Sequence, residues 1–94
     1  MVPDEFYTFT ERTYQRLADA RINPLSVTDV LYGGAVVRRH IGAVLQVAGR
    51  DRHGQWLAIG LVEDDDVRYT VAGARNLDDD EIAVIVAIKR EDES

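Results

Sequence analysis

Residues 43–76, AVLQVAGRDRHGQWLAIGLVEDDDVRYTVAGARN, decide the fold of this chain. Apolar, largely β-branched runs alternate there with two short polar segments, at residues 51–54 and 63–66. Turn-forming residues between β-branched runs are a strong signal for hairpins. The stretch therefore predicts a meander of three consecutive antiparallel strands.

The residues before the meander predict two helices. Thr10 suits the N-cap of a helix over residues 10–21, whose apolar positions recur at the spacing of one helical face. Asn23 and Pro24 suit the N-cap and first position of a shorter helix, and the glycine pair at residues 33–34 ends it. Residues 35–40 are a candidate first strand or a β-like arm.

The run 82–88, IAVIVAI, follows the meander and is compatible with either a strand or a helix. The acidic residues at 78–81 favour the helix, because carboxylates are stabilised at a helix N-terminus. This run is more apolar than a free surface helix requires. We expect it to bury against the sheet, a second copy of the chain or another protein. The fold class predicted from the whole pattern is α+β: two N-terminal helices, an antiparallel sheet of three to four strands, and a C-terminal helix.

Length and composition indicate one domain over residues 1–94. The absence of cysteine excludes disulfides, thiolate metal sites and thiol catalysis, and is typical of cytoplasmic proteins. No run is long enough to span a bilayer, and the acidic N-terminus lacks the basic segment of a secretory signal. A cytoplasmic protein without a membrane association is therefore expected.

The charge distribution gives two opposing indications about partners. A net charge of −6 and a pI of about 4.7 disfavour nucleic acid, whose phosphates would be repelled at long range. Residues 35–55 are nevertheless locally basic, and ten of the eleven basic residues of the chain are arginine. Arginine makes planar, bidentate contacts to phosphate or carboxylate. A small sheet edged with arginine is thus a candidate surface for a polyanion.

Three segments together resemble a known family. They are residues 9–31 (FTERTYQRLADARINPLSVTDVL), the turn of Gly49, Arg50 and Asp51 followed by the apolar run 56–62, and residues 71–75 (VAGAR). This order is similar to that of the BrnT-like toxins and related bacterial domains, over about residues 9–81. The resemblance implies a RelE-like fold, ribonuclease activity and neutralisation by a cognate antitoxin.

The chain also departs from that family pattern. The helix after the last strand is usually basic in the family, whereas residues 78–81 are all acidic here. Thr13 stands where many related domains carry a histidine, and Lys89 is the only lysine. Inheritance of the fold is therefore a safer expectation than inheritance of the activity.

The candidate site follows from what RNA cleavage requires. The reaction needs a proton acceptor for the 2′-hydroxyl, a cation near the phosphorane and a proton donor for the leaving oxygen. Imidazole exchanges protons near neutral pH, so His40 or His53 could supply the acid–base function, and His53 is the candidate catalytic residue. Arg50 and Arg75 are candidate phosphate clamps, and the resemblance also favours these two positions. Candidate substrate-binding residues are Arg38, Arg39, His40, Arg52 and Arg68. The competing interpretation is that these side chains only pair with the many carboxylates.

No metal or cofactor is expected. The acidic runs at residues 64–66 and 78–81 lack the spacing of a calcium-binding loop, and helix capping with a solvated turn explains them better. Trp56 could stack a base beside the arginines, although core packing is the commoner role of a strand tryptophan.

Two functional hypotheses remain open at this point. The first is a toxin-like growth inhibitor that binds or cleaves RNA and pairs with an antitoxin. The second is a non-catalytic acidic interaction module on the same fold, such as a phage-encoded host-interaction or antagonist protein, with a protein partner or a second copy of itself. Convergence of Arg50, Arg75 and a histidine in one concavity would favour the first hypothesis, and their dispersal into carboxylate pairs would favour the second.

Overall fold

The predicted meander forms the centre of the sheet. In the computed structural model, which describes residues 5–93, its strands are β3 (Val44–Arg50), β4 (Trp56–Glu63) and β5 (Arg68–Asn76). β3 pairs antiparallel with β4, and β4 pairs antiparallel with β5. The preceding strand β2 (Ala35–Ile41) pairs antiparallel with β3. These four strands confirm the sheet expected from the alternation of apolar runs and turns.

A fifth strand corrects the predicted count and direction. β1 (Phe6–Thr8) pairs in parallel with β5, so the sheet is mixed and its strand order is β1-β5-β4-β3-β2. A three-residue strand is too short to show a period of two, which is why the sequence did not reveal it. The predicted α+β class is correct. The predicted sheet of three to four antiparallel strands was wrong, because the sheet has five strands and one of them is parallel.

The two N-terminal helices are α1 (Glu11–Asp19) and α2 (Pro24–Asp29), and a π-helical turn (Val30–Gly34) continues α2 into β2. Thr10 caps α1 as predicted, and Thr13 completes the capping box. The Thr13 hydroxyl also donates a hydrogen bond of 2.5 Å to the Val71 carbonyl, beyond the end of β1. Thr13 therefore has a structural role, because it joins the cap of α1 to β5.

Both helices pack on one face of the sheet, here called the α1–α2 face. Their buried residues Leu17, Val27 and Val30 meet the inward side chains of the meander strands. Because side chains alternate along a strand, every second residue of each meander strand reaches this core. The sheet residues in the cluster are Leu45, Val47, Leu57, Ile59, Leu61, Tyr69 and Val71.

The C-terminal segment is the helix α3 (Asp79–Glu93), which confirms the helical alternative for residues 82–88. Asp78 and Glu81 cap it reciprocally, each accepting a hydrogen bond from the backbone N–H of the other. The helix lies on the second face of the sheet, the α3 face, where its buried residue Ile85 adjoins Ala48 and Ala58. Val84 stays 59% exposed, so α3 buries only part of its apolar surface.

The π-helical turn touches the end of β3 at unusually short range. A β-carbon added to Gly34 would lie 1.9 Å from the Arg50 carbonyl oxygen, and one added to Gly49 would lie 2.1 Å from the Gly34 carbonyl oxygen. Two backbones can approach this closely only where side chains are absent. Gly34 and Gly49 thus allow the π-helical turn to lie directly against β3.

Side chains from opposite edges of the sheet meet over the α1–α2 face. Arg38 of the β2 edge donates two hydrogen bonds of 2.8 Å to Glu5, which immediately precedes β1, and one of 2.9 Å to the Tyr69 hydroxyl. The hydrogen bonds from Arg38 lower the pKa of Glu5. Tyr7 stacks on Tyr69 with ring centroids 5.7 Å apart. The sheet is therefore strongly curled at this end. Within residues 5–93, no helix is long and apolar enough to cross a membrane.

Candidate ligand-binding cleft

An open cleft of about 910 Å³ lies at one end of the α3 face. Its walls are the π-helical turn, the turn between β3 and β4, and the C-terminal half of α3. The ionisable and aromatic side chains in its lining are Asp29, Arg50, Asp51, Arg52, His53, Trp56 and Lys89. Four of these seven are basic and two are carboxylates, in a chain whose net charge is −6. Three of the four, Arg50, Arg52 and His53, come from the locally basic segment 35–55, whose other basic residues lie outside the cleft.

Asp51 builds the turn that carries the cleft's cations. Its Oδ1 accepts hydrogen bonds from the backbone N–H groups of His53 (2.9 Å) and Gln55 (2.8 Å), and its side chain is buried. Burial alone would raise the pKa of Asp51, but the hydrogen bonds from the backbone N–H groups of Gln55 and His53 act against it, and the pKa is lowered. Gly54 closes the turn with a φ of 86°, which a residue with a side chain rarely adopts.

Arg50 and Trp56 face each other at the base of this turn. They are register partners on β3 and β4, and the Arg50 guanidinium carbon lies 5.6 Å from the centroid of the Trp56 ring. Within the described part of the chain, no carboxylate lies within ion-pair distance of Arg50. An indole face holds a guanidinium in place without neutralising it. Arg50 is therefore a positioned cation that can still bind an anion.

Arg52 and His53 follow in the turn and differ in availability. Arg52 donates hydrogen bonds of 2.8 to 3.1 Å to both carboxylate oxygens of Asp29. These bonds lower the pKa of Asp29 and raise that of Arg52, so both groups stay charged. His53 is exposed, and only its backbone is held. In the cleft, Arg52 is thus neutralised by Asp29, whereas Arg50, His53 and Lys89 have no ion pair with another described residue.

Arg75 lies outside this cleft. It is on the α3 face of β5, where its guanidinium donates a hydrogen bond of 2.8 Å to Glu81 in the first turn of α3. Hydrogen bonding to Glu81 raises the pKa of Arg75. The predicted catalytic set is therefore divided: Arg50 and His53 share the cleft, and Arg75 is engaged elsewhere.

The predicted substrate-binding residues are dispersed along the sheet. Only Arg52 of this group lines the cleft. Arg38 pairs with Glu5 and Arg68 with Asp65, while Arg39 donates a hydrogen bond to Gln46. His40 contacts the carboxylate of Glu63. The contacts of Arg38, Arg68 and His40 match the competing interpretation, in which the basic residues of an acidic protein pair with carboxylates, whereas Arg39 has an amide partner.

Trp56, considered from the sequence only as a base-stacking alternative to core packing, lines the cleft, and Lys89 lines it without having been predicted. The sequence contained a signal for Trp56, because residues equally distant from a hairpin turn become register partners and residues 50 and 56 flank the turn symmetrically. Lys89 carried no such signal, since its place depends on how α3 crosses the sheet. Within the described residues, no group of three potential metal ligands is clustered.

The Arg75–Glu81 pair predicts an acid sensitivity. Hydrogen bonding to Arg75 lowers the pKa of Glu81 to about 2, whereas an unfolded glutamate titrates near 4.3. Because the folded-state pKa is depressed, the contribution of Glu81 to stability is present above about pH 4.3 and is lost as the pH falls towards 2. We expect Glu81→Gln to lower the midpoint temperature of unfolding at pH 7. The difference in midpoint between this variant and wild type should disappear as the pH falls from about 4.3 to about 2.

The control for this experiment is Asp66→Asn, which removes an exposed turn carboxylate that has no ion pair with another described residue. Thermal unfolding of both variants is followed by circular dichroism between about pH 2 and pH 7. This range includes the pKa of Glu81 in the folded protein, about 2, and that of an unfolded glutamate, about 4.3. A difference between Glu81→Gln and wild type that persisted at the acid end would contradict the assignment.

The cleft can bind an anion next to an aromatic face, with an exchangeable proton available from His53. Of the predicted catalytic residues it brings together His53 and Arg50, whereas Arg75 lies outside it. Comparison of the chain with protein-family models, with curated proteins and with solved structures gives no match. The similarity to BrnT-like toxins therefore stays a prediction.

Proposed function

We propose that this protein is a toxin-like growth inhibitor that binds single-stranded RNA in the cleft between the β3–β4 turn and α3. The observation that carries the proposal is Arg50, a cation without a carboxylate partner among the described residues, held against Trp56 with Lys89 opposite. Single-stranded RNA is recognised by this combination of backbone cations and aromatic faces, because every base can stack and every phosphate is charged.

The arrangement of the chain supports the RelE-like resemblance only at a coarse level. The order of two helices, an antiparallel meander and a C-terminal helix agrees with it, whereas the parallel strand β1 and the acidic start of α3 differ. RNA cleavage is the stronger form of the proposal. The 2′-oxygen would attack phosphorus as the bond to the 5′-oxygen breaks, His53 would take the proton from the 2′-hydroxyl and deliver it to the leaving 5′-oxygen, and Arg50 would stabilise the negative charge on the non-bridging phosphate oxygens.

Binding is tested with a fluorescein-labelled single-stranded RNA of mixed sequence, by fluorescence anisotropy at low salt, where phosphate contacts are strongest. We expect Arg50→Ala and Lys89→Ala each to weaken binding about tenfold, which is the loss of one contact of about 1.4 kcal/mol. Each should also reduce the slope of log affinity against log salt by about 0.7. Arg12→Ala removes an exposed arginine of α1 that does not line the cleft, and should bind as wild type does.

Growth and RNA integrity separate binding from cleavage. Inducible expression should slow growth, and Arg50→Ala should relieve the inhibition while the variant keeps its fold by circular dichroism. If RNA is cleaved, His53→Ala should leave it intact without losing affinity. A wild-type protein that binds no RNA at low salt would refute the proposal as a whole, whereas binding without degradation would refute only the catalytic form.

A second function, a non-catalytic protein-interaction module, is favoured by a different observation. Arg38, Arg52, Arg68 and Arg75, four of the ten arginines, are within ion-pair distance of carboxylates and are therefore already engaged within the protein. The net charge of −6 also suits a basic protein partner better than a nucleic acid. Capture of a basic protein by wild type and by Arg50→Ala alike, without RNA binding, would support this alternative.

A further inference from the structure

The α3 face has an uncovered part on the side of α3 opposite the cleft. Register places two rows of side chains there, across β2, β3, β4 and β5. We call these rows the trough. The outer row contains three apolar residues that are 37% to 51% exposed: Ile41, Val44 and Val62. The inner row, nearer α3, contains Arg39, Gln46, Gly60 and Gly73. Three exposed aliphatic side chains in line across a sheet are a feature of an interface.

Beside the trough, α3 presents a second apolar surface. Asp80, Val84 and Ile88 follow one another at intervals of four residues and therefore lie along one side of the helix. Val84 is 59% exposed and Ile88 is 38% exposed, although both lie at the groove between α3 and the sheet. We call these three residues the ridge. It begins with a carboxylate and continues with aliphatic side chains.

The charges on the trough are opposite to that of the ridge. Arg39 stands in the inner row, and Arg16 reaches over the β5 edge, where its guanidinium donates a hydrogen bond of 3.3 Å to the Ala72 carbonyl. Neither arginine has a carboxylate within ion-pair distance among the described residues. Arg39 and Arg16 are therefore the cations of the inner row and the β5 side, while Thr70, the β5 member of the outer row, donates a hydrogen bond of 2.7 Å to the Asp64 carboxylate. The ridge has two aliphatic side chains and an acidic start.

We propose that the trough receives the ridge of a second copy of this chain, in a two-fold symmetric dimer. A two-fold interface uses the same patch on both copies, so the patch must contain both complementary halves. Trough and ridge lie side by side on one face and satisfy that requirement in shape and in charge. The ridge of each copy then lies in the trough of the other copy. In this arrangement Arg39 of each copy approaches Asp80 of the other.

The size of the patch sets the expected strength. Two rows across four strands and the exposed side of a four-turn helix cover roughly 500 Å² per copy, from strand spacing and helix rise. The resulting total of roughly 1,000 Å² is at the lower limit for a specific interface. We therefore expect a dimer in reversible equilibrium with monomer, populated at high protein concentration.

Sedimentation velocity and light scattering over a concentration series up to about 1 mM test the proposal, because an affinity in the micromolar range is saturated there. Wild type should reach the dimer mass. Val84→Lys should remain monomeric, and Leu25→Lys should dimerise as wild type does. Leu25 is a fitting control because it is an exposed apolar residue, 70% exposed, on α2 and away from the α3 face.

Charge reversal then identifies the pairing. Arg39→Glu and Asp80→Arg should each abolish the homodimer, since each places like charges at both symmetric contacts. Mixing these two variants should restore a dimer, because their heterodimer has opposite charges at both contacts. A wild-type monomer at the highest concentration would overturn the proposal and assign the surface to a partner of another sequence. A dimer that is insensitive to all three interface variants, or a mixture that stays monomeric, would overturn it as well.

Discussion

Gly49→Ala should destabilise this protein by about 3 kcal/mol or more, a large share of the stability of a small domain. The added β-carbon would lie 2.1 Å from the Gly34 carbonyl oxygen and 2.8 Å from the Cα atom of Ala35. Both obstacles are backbone atoms, which cannot rotate away as a flexible side chain could. The π-helical turn must therefore separate from β3, and the packing of Val30 beneath it is disturbed.

Chemical denaturation measures the effect, and Gly33→Ala is the matched control. Gly33 lies in the same turn, but a β-carbon there meets nothing within 4 Å. We expect Gly33→Ala to change the free energy of unfolding by no more than about 0.5 kcal/mol, as at other open surface positions. Similar stabilities for the two variants would show that the close approach of turn and strand is not a constraint on the fold.

Asp51→Ala is the second change with a large expected effect, a loss of about 3 kcal/mol. The carboxylate is only 5% exposed, and its Oδ1 receives the N–H groups of His53 and Gln55. Alanine would leave both backbone donors without their acceptor, at a cost of about 1–3 kcal/mol each when they cannot reach water. Asp51→Asn keeps an acceptor oxygen at that position and should recover most of the loss.

The pH dependence of this effect has a defined sign. The pKa of Asp51 is lowered in the folded protein, so its stabilising contribution is present above the unfolded value of about 3.9 and is lost as the pH falls through the folded value. Denaturant titrations at neutral and acid pH measure it, with Asp66→Ala as the exposed control. An Asp51→Ala variant as stable as that control would mean that the turn does not depend on the carboxylate.

The sequence predicted the parts of the fold that depend on local chemistry. The meander follows from alternating apolar runs with turn residues between them, and α1 follows from Thr10 and the periodicity of its apolar face. The acidic start at residues 78–81 correctly indicated a helix for a run whose β-branched residues also suited a strand. β1 escaped notice because its place is determined by pairing with a distant strand and not by a pattern of its own.

The candidate site could be predicted only in part, for a related reason. Arg50 and His53 are close in sequence, and one hairpin turn brings them to the same cleft. Arg75 is 25 residues from Arg50, and whether the two meet depends on α3, whose Glu81 engages Arg75 instead. Lys89 joins the cleft because α3 crosses the sheet there. Contacts that depend on how a helix lies across a sheet have no short-range signature in the sequence.

The pairing of β1 with β5 has a consequence for biosynthesis. Phe6 lies opposite Arg68, so β1 is synthesised before its pairing partner β5 and can join the sheet only after β5 is made. The strands that bury α1 and α2 are also made after these helices. Until then the apolar side chains of α1 and α2 lack their partners in the sheet, a condition that favours aggregation. Such long-range pairing also slows folding of the finished chain compared with a bundle of neighbouring helices.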